Sequence, residues 1–154
     1  MNNWRKFRRL ARRERRLFIH SLLLLPLNGM ALRLISFKRL QSILTHLARF
    51  NRVSEDIPPE TQIRNARTTA RMLRAAALYG PYHAKCLPQS LTLWWLLLRQ
   101  GIKSDLRFGA RKEAGRLEAH AWVELNGLPL NDNVDIDQRF APFEHSVTRA
   151  EGNS

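Results

Sequence analysis

The stretch Cys86-Leu-Pro-Gln-Ser-Leu-Thr-Leu-Trp-Trp-Leu-Leu-Leu-Arg-Gln-Gly101 separates two kinds of pattern in this chain. Pro88 suits a first helical position and Gly101 the residue just past a helix end. Leu91, Trp94, Trp95 and Leu98 fall between them at the spacing of one broad apolar face, which predicts a buried helix over 88–100. Trp94 and Trp95 read as core filler rather than a ligand stack. After Gly101 the apolar period changes to two: 104–111, 117–125 and 128–132 alternate or run apolar. Glu113-Ala-Gly115 and Asn126-Gly127 separate them as hairpin signals, so three strands form an antiparallel meander. Helices and strands in separate blocks predict an α+β fold.

Toward the N-terminus, 60–79 reads as a helix with Ile63, Ala66, Ala70, Leu73 and Ala77 on one face, ended by Tyr79-Gly-Pro-Tyr82. Ser54-Glu-Asp-Ile-Pro-Pro59 reads as a loop. Two packed helices are expected at 14–27 and 29–50, punctuated by Pro26, Asn28 and Gly29. Residues 4–16, with Trp4, Phe7, Leu10 and Ala11 at helical spacing among arginines, predict a basic amphipathic helix suited to a membrane surface, a nucleic acid or an acidic partner. The run 17–27 invites comparison with a signal peptide, but His20 and Pro26 interrupt it. As a membrane span it is short, and Arg33 limits its extension. Toward the C-terminus, Phe140, Pro142 and Phe143 mark an edge segment before a polar tail. The expected organisation is a basic helical extension at 1–50, a linker and helix at 51–80, a core at 81–145 and a tail at 146–154.

The charge is unevenly distributed. Of a net +13, residues 1–50 carry 12 Lys+Arg against the single acid Glu14, while 81–154 hold nine of each sign. The basic character thus belongs to the N-terminal helices. One cysteine in 154 residues excludes an internal disulfide and any metal site built from several thiolates, and favours a reducing cytoplasm. No cofactor is expected.

That one thiol, Cys86, stands at the start of the predicted helix, where the dipole and unpaired N–H groups favour a thiolate and can also receive an oxyanion. His120 follows in mid-strand within Ala119-His-Ala-Trp-Val-Glu124, and Asn131-Asp132 comes next. A Cys-His-Asp order supplies nucleophile, base and orienting group. The competing reading of His120 is a histidine satisfied within the core. Hairpin register bears on Asp132. With a bare two-residue Asn126-Gly127 turn, Asp132 opposes Ala121, on the wrong side of the sheet; with a glycine bulge, Glu124 opposes Leu128 and Asp132 opposes His120. The chemistry favours the bulge. Asp135 and Asp137 are fallbacks for the third member.

The segments from Cys86 to Gly101, Arg107-Phe-Gly-Ala-Arg-Lys112, Ala119 to Glu124 and Gly127-Leu-Pro-Leu-Asn-Asp132 together resemble the leader peptidases of lasso peptide biosynthesis, which are bacterial transglutaminase-like cysteine peptidases. The resemblance covers about residues 80 to 143. It implies Cys86 as nucleophile, His120 as base and then acid, and Asp132 as orienting carboxylate. It also implies a papain-like fold with the nucleophile helix on an antiparallel sheet, and a ribosomally made precursor peptide as substrate. The first 80 residues read as helices without the strands of a winged-helix leader-recognition domain. The resemblance therefore implies a separate leader-recognition protein, and an ATP-dependent cyclase acting on the freed core.

Three other readings remain open at this level. The basic extension suits a nucleic-acid-binding or scaffold protein, but no nucleic-acid motif accompanies it, so a nucleic acid is not the expected partner. His83, Cys86 and His120 offer a zinc ligand set. The triad chemistry also serves acyl transfer, with an acceptor other than water.

Overall fold

The computed structural model describes residues 9–49 and 57–143. Among these residues four long helices come first: α1 Arg12–Leu34, α2 Phe37–Arg49, α3 Pro59–Tyr79 and α4 Cys86–Arg99. Then follow β1 Asp105–Glu113, β2 Arg116–Leu125, β3 Leu128–Pro129, the single-turn helix α5 Ile136–Arg139 and β4 Ala141–Pro142. The strands form one antiparallel sheet in the order β3-β2-β1-β4. The fold is α+β, as the switch of period at Gly101 predicts.

Helix α4 is apolar nearly all round, and such a helix must be covered on every side. Its Leu91, Leu93, Trp94, Leu96 and Leu97 are buried between α1, α2 and α3 and the sheet. One cluster joins Leu25, Leu40, Leu44, Ala66 and Leu73 of the helices to Leu106, Val123 and Leu125 of the strands. Trp95 is buried in it as core, and its indole N–H donates to the Leu44 carbonyl at 2.8 Å. The helix begins at Cys86 rather than at Pro88, with Lys85 as N-cap.

The helical block differs from the expected division. α1 runs unbroken through Pro26, Asn28 and Gly29, and the chain turns instead at Ile35-Ser36, where Ile35 is extended (φ −131°, ψ 156°). Pro26 removes one helical hydrogen bond. Packing outweighs that loss and the weak helix propensity of the two residues that follow. Buried Asn28 Nδ2 donates to Thr92 Oγ1 at 2.8 Å, and the Thr92 hydroxyl donates to the Pro88 carbonyl at 2.7 Å. Gly29 is buried against Tyr82, and a Cβ there would overlap the Tyr82 hydroxyl. Both residues look like turn formers in the sequence, yet they serve close contact between helices. Pro59 opens α3 rather than ending a loop. Of the expected helix over 4–16, residues 4–8 lie outside the described residues, 9–11 are not helical, and 12–16 form the first turn of α1 rather than a separate helix; the tail at 146–154 lies outside the described residues.

Both hairpins close with two residues at positive φ: Ala114 (49°) and Gly115 (79°), then Asn126 (52°) and Gly127 (77°). Such turns match the twist of paired strands without an inserted residue. Leu125 therefore pairs with Leu128 and Glu124 with Pro129, and the bulged register is not adopted. Strand β3 is two residues long, not five. The edge segment does form: β4 pairs with the outer side of β1, Gly109 facing Pro142.

Gly29→Ala is expected to destabilise the protein by about 1–3 kcal/mol through overpacking. Urea denaturation should show Tyr82→Phe recovering part of that loss, because it removes the nearest overlapping atom.

Candidate active site

Alternation along β2 places Ala121, Val123 and Leu125 on one face and His120, Trp122 and Glu124 on the other. Val123 and Leu125 enter the main core, whereas Trp122 forms a second cluster with Ile136 and Phe140. The His120 ring stacks on Phe140 (centroids 5.0 Å apart, planes 25°) and lies 6.2 Å from the Trp122 ring at 19°. Gly109, opposite His120 across the β1–β2 pair, makes room: a Cβ there would stand 3.0 Å from Trp122 Cη2, Phe140 Cβ and the Ala141 carbonyl. Beneath, the buried Trp122 indole N–H donates to Glu124 Oε1 at 2.7 Å, and Glu124 Oε2 lies 3.6 Å from Arg107 Nε. These contacts hold the imidazole from the side and from below.

Asp132 meets His120, although strand parity sends it to the other face. His120 Nε2–H donates to Asp132 Oδ2 at 2.5 Å, with both side chains mostly buried. The two-residue turn sets Val123 opposite Leu130, and the Leu130 N–H donates to the Val123 carbonyl at 2.8 Å. There the ladder stops. Asn131 Oδ1, in place of the next backbone carbonyl, accepts the Val123 N–H at 2.8 Å. Released from pairing, the chain turns and brings Asp132 beneath the imidazole. The other carboxylate oxygen, Oδ1, accepts the Asn133 N–H at 2.8 Å and lies 3.8 Å from Arg139 Nη1. Asp132 is thus held from several sides, and His120 keeps Nδ1 for another partner.

Past Leu130 the edge of β2 is open, and the next outward carbonyl is that of Ala121. Ser90 of α4 fills it: Ser90 Oγ–H donates to the Ala121 carbonyl at 2.8 Å and accepts from Asn131 Nδ2 at 2.9 Å. One hydroxyl therefore joins α4 to the residue after His120 and to the residue before Asp132. Cys86 is one helical turn before Ser90, on the same face of α4. It is the first residue of the helix, half-buried, with a free thiol. The Gln89 N–H reaches back to the Lys85 carbonyl at 3.3 Å, and Pro88 carries no N–H. The N–H groups of Cys86 and Leu87 thus precede the helical ladder.

Of the three residues singled out by their order, the structure brings His120 and Asp132 together. Among the described residues Cys86 makes no hydrogen bond to either. Asp135 stands at the N-cap position of the single-turn helix α5, where its side chain makes no capping hydrogen bond, and no bond joins it to His120; the Asp137 side chain lies outside the described residues. No three His, Cys, Asp or Glu side chains among the described residues gather closely enough to hold a metal ion, so His83, Cys86 and His120 do not form a ligand set.

Sequence reading missed Ser90, Asn131, Gly109 and Phe140. Ser90 had a signal, a polar residue in an otherwise apolar helix one turn beyond the thiol. Asn131 had none of its own, since its work depends on where β3 stops.

A model of the transglutaminase-like superfamily matches residues 30–145, from within α1 through the whole sheet. The chain belongs to that superfamily, which includes cysteine peptidases and acyltransferases. No curated protein and no solved structure matches the chain.

Asn131→Ala strands the Val123 N–H and removes a donor from Ser90. It is expected to cost about 1–3 kcal/mol in urea denaturation and to speed hydrogen exchange at the Val123 amide selectively over the amides of the β1–β2 ladder.

Proposed function

We propose that this protein is a cysteine peptidase that cleaves the leader from a ribosomally made precursor peptide during lasso peptide maturation, in the cytoplasm, with Cys86, His120 and Asp132 as its catalytic residues. The observation that carries this reading is the His120–Asp132 hydrogen bond, made on a strand that Ser90 ties to the helix beginning at Cys86. Superfamily membership supports thiol chemistry. The substrate class rests on the resemblance of the segments from Cys86 to Asp132 to lasso leader peptidases.

In this reading the imidazole takes the Cys86 proton on Nδ1, and the sulfur adds to the scissile carbonyl carbon. The oxyanion is received by backbone N–H groups of the first turn of α4, where the helix dipole also favours negative charge. The C–N bond breaks as His120 returns the proton to the departing amine, which is the new N-terminus of the core peptide. A water molecule, deprotonated by the same imidazole, then cleaves the thioester and regenerates the thiol. Asp132, accepting from Nε2–H, fixes the tautomer that keeps Nδ1 free and stabilises the imidazolium. The chain acts with a separate leader-recognition protein and hands the core to an ATP-dependent cyclase.

Incubating a candidate precursor with this protein and its partners, and reading products by mass spectrometry, tests the proposal. Two fragments whose masses sum to precursor plus one water are expected. Cys86→Ala and His120→Ala should abolish them, and Asp132→Asn should slow cleavage by about 10²–10⁴-fold. Cleavage retained by Cys86→Ala refutes the nucleophile. A product carrying an added amine in place of water makes the protein an acyltransferase.

A further inference from the structure

Helix α1 has a second face that the domain does not use. Leu17, Ser21, Leu25 and Asn28 are buried against the core, whereas Ile19 (45% exposed), Leu23 (64%), Leu27 (59%), Met30 (59%) and Leu34 (79%) look outward. Their spacing of four, four, three and four residues makes one straight stripe about 22 Å long. Five aliphatic side chains in an exposed row mark an interaction surface.

Charge selects the partner. Arg12 and Arg16 continue the same line toward the N-terminus, and Arg33 flanks its other end beside Leu34; all three are exposed. The one acid of the first 50 residues, Glu14, is paired with Arg71. An aliphatic stripe bracketed by arginines, in a region of a single sign of charge, complements a surface that is apolar within and anionic at its boundary. Aromatic anchors, which dominate protein–protein contacts, are absent from the stripe.

We propose that α1 docks the protein flat on an anionic lipid bilayer, with Ile19 to Leu34 in the acyl boundary and the arginines at the phosphates. By length and composition α1 is also apolar enough to cross a membrane, with 28% of its most apolar window buried. Spanning is ruled out by what the opposite face holds: Leu25 lies in the core and Asn28 is bonded to Thr92 of α4, so the helix cannot leave without opening the domain. The docking is independent of the proposed peptidase activity.

The test is co-sedimentation of the full chain with phosphatidylglycerol vesicles and with phosphatidylcholine vesicles, at 0.1 M and 0.5 M salt. The protein is expected to bind the anionic vesicles at least about tenfold more tightly than the zwitterionic ones, and to lose most of that binding at the higher salt. Leu23→Glu with Leu27→Glu, and separately Arg12→Glu with Arg16→Glu, should each weaken binding about tenfold or more while circular dichroism and the melting temperature stay unchanged, since these side chains face solvent. Equal partition onto both lipids, no binding to either, or binding undiminished in the Leu23/Leu27 variant overturns the proposal. A self-associated species in solution that the same variant disperses also overturns it, and assigns the stripe to contact between copies.

Discussion

The structure depends on how the open edge of β2 is completed. A strand edge presents N–H and carbonyl groups that need partners, and β3 supplies them only as far as Leu130. Beyond that point two side chains take over, Asn131 for the Val123 N–H and Ser90 for the Ala121 carbonyl, and they are bonded to each other. A longer β3 would have met the same hydrogen-bonding need. It would also have held Asp132 opposite Ala121, away from the imidazole. Ending the ladder early is what frees the carboxylate to reach His120.

This arrangement couples three pieces of chain that are far apart in sequence. Ser90 moves with α4, Ala121 adjoins His120, and Asn131 adjoins Asp132, so a shift in any one is felt by the other two. Behind this joint, α4 is gripped by the main core on all sides. Under it, the Trp122–Glu124 hydrogen bond and the Phe140 stack fix the imidazole on the opposite face of the sheet. The site therefore sits at the seam of two hydrophobic clusters rather than inside either one. That position leaves the Cys86 end of α4 half-exposed.

Much of this was legible in the sequence, for identifiable reasons. The helix at Cys86 and the strands after it announce themselves by period, and Asn126-Gly127 by its tolerance of positive φ. The meeting of His120 and Asp132 was anticipated, but by the wrong route. A bulge would have preserved the ladder and shifted the register, whereas the protein keeps the tight turn and abandons the ladder. Residue order carries no information on where a strand stops when the terminating groups come from another element. The same limit explains α1: Pro26, Asn28 and Gly29 are local break signals, and the contacts that overrule them, with Thr92 and Tyr82, are more than fifty residues away. Local rules failed where long-range packing had a specific use for a small or polar residue.

The proposed catalysis requires the Cys86 sulfur to come beside the free nitrogen of His120, across the β2 edge that Ser90 and Asn131 complete. The most direct measurement is bifunctional alkylation with 1,3-dibromoacetone, whose three-carbon bridge links a sulfur and an imidazole nitrogen only when they are neighbours, each displacing one bromide. Peptide mapping of the treated, folded protein should find Cys86 joined to His120 as the dominant crosslink. Cys86 alkylated at one end only, or joined instead to His83 three residues before it, would contradict the account.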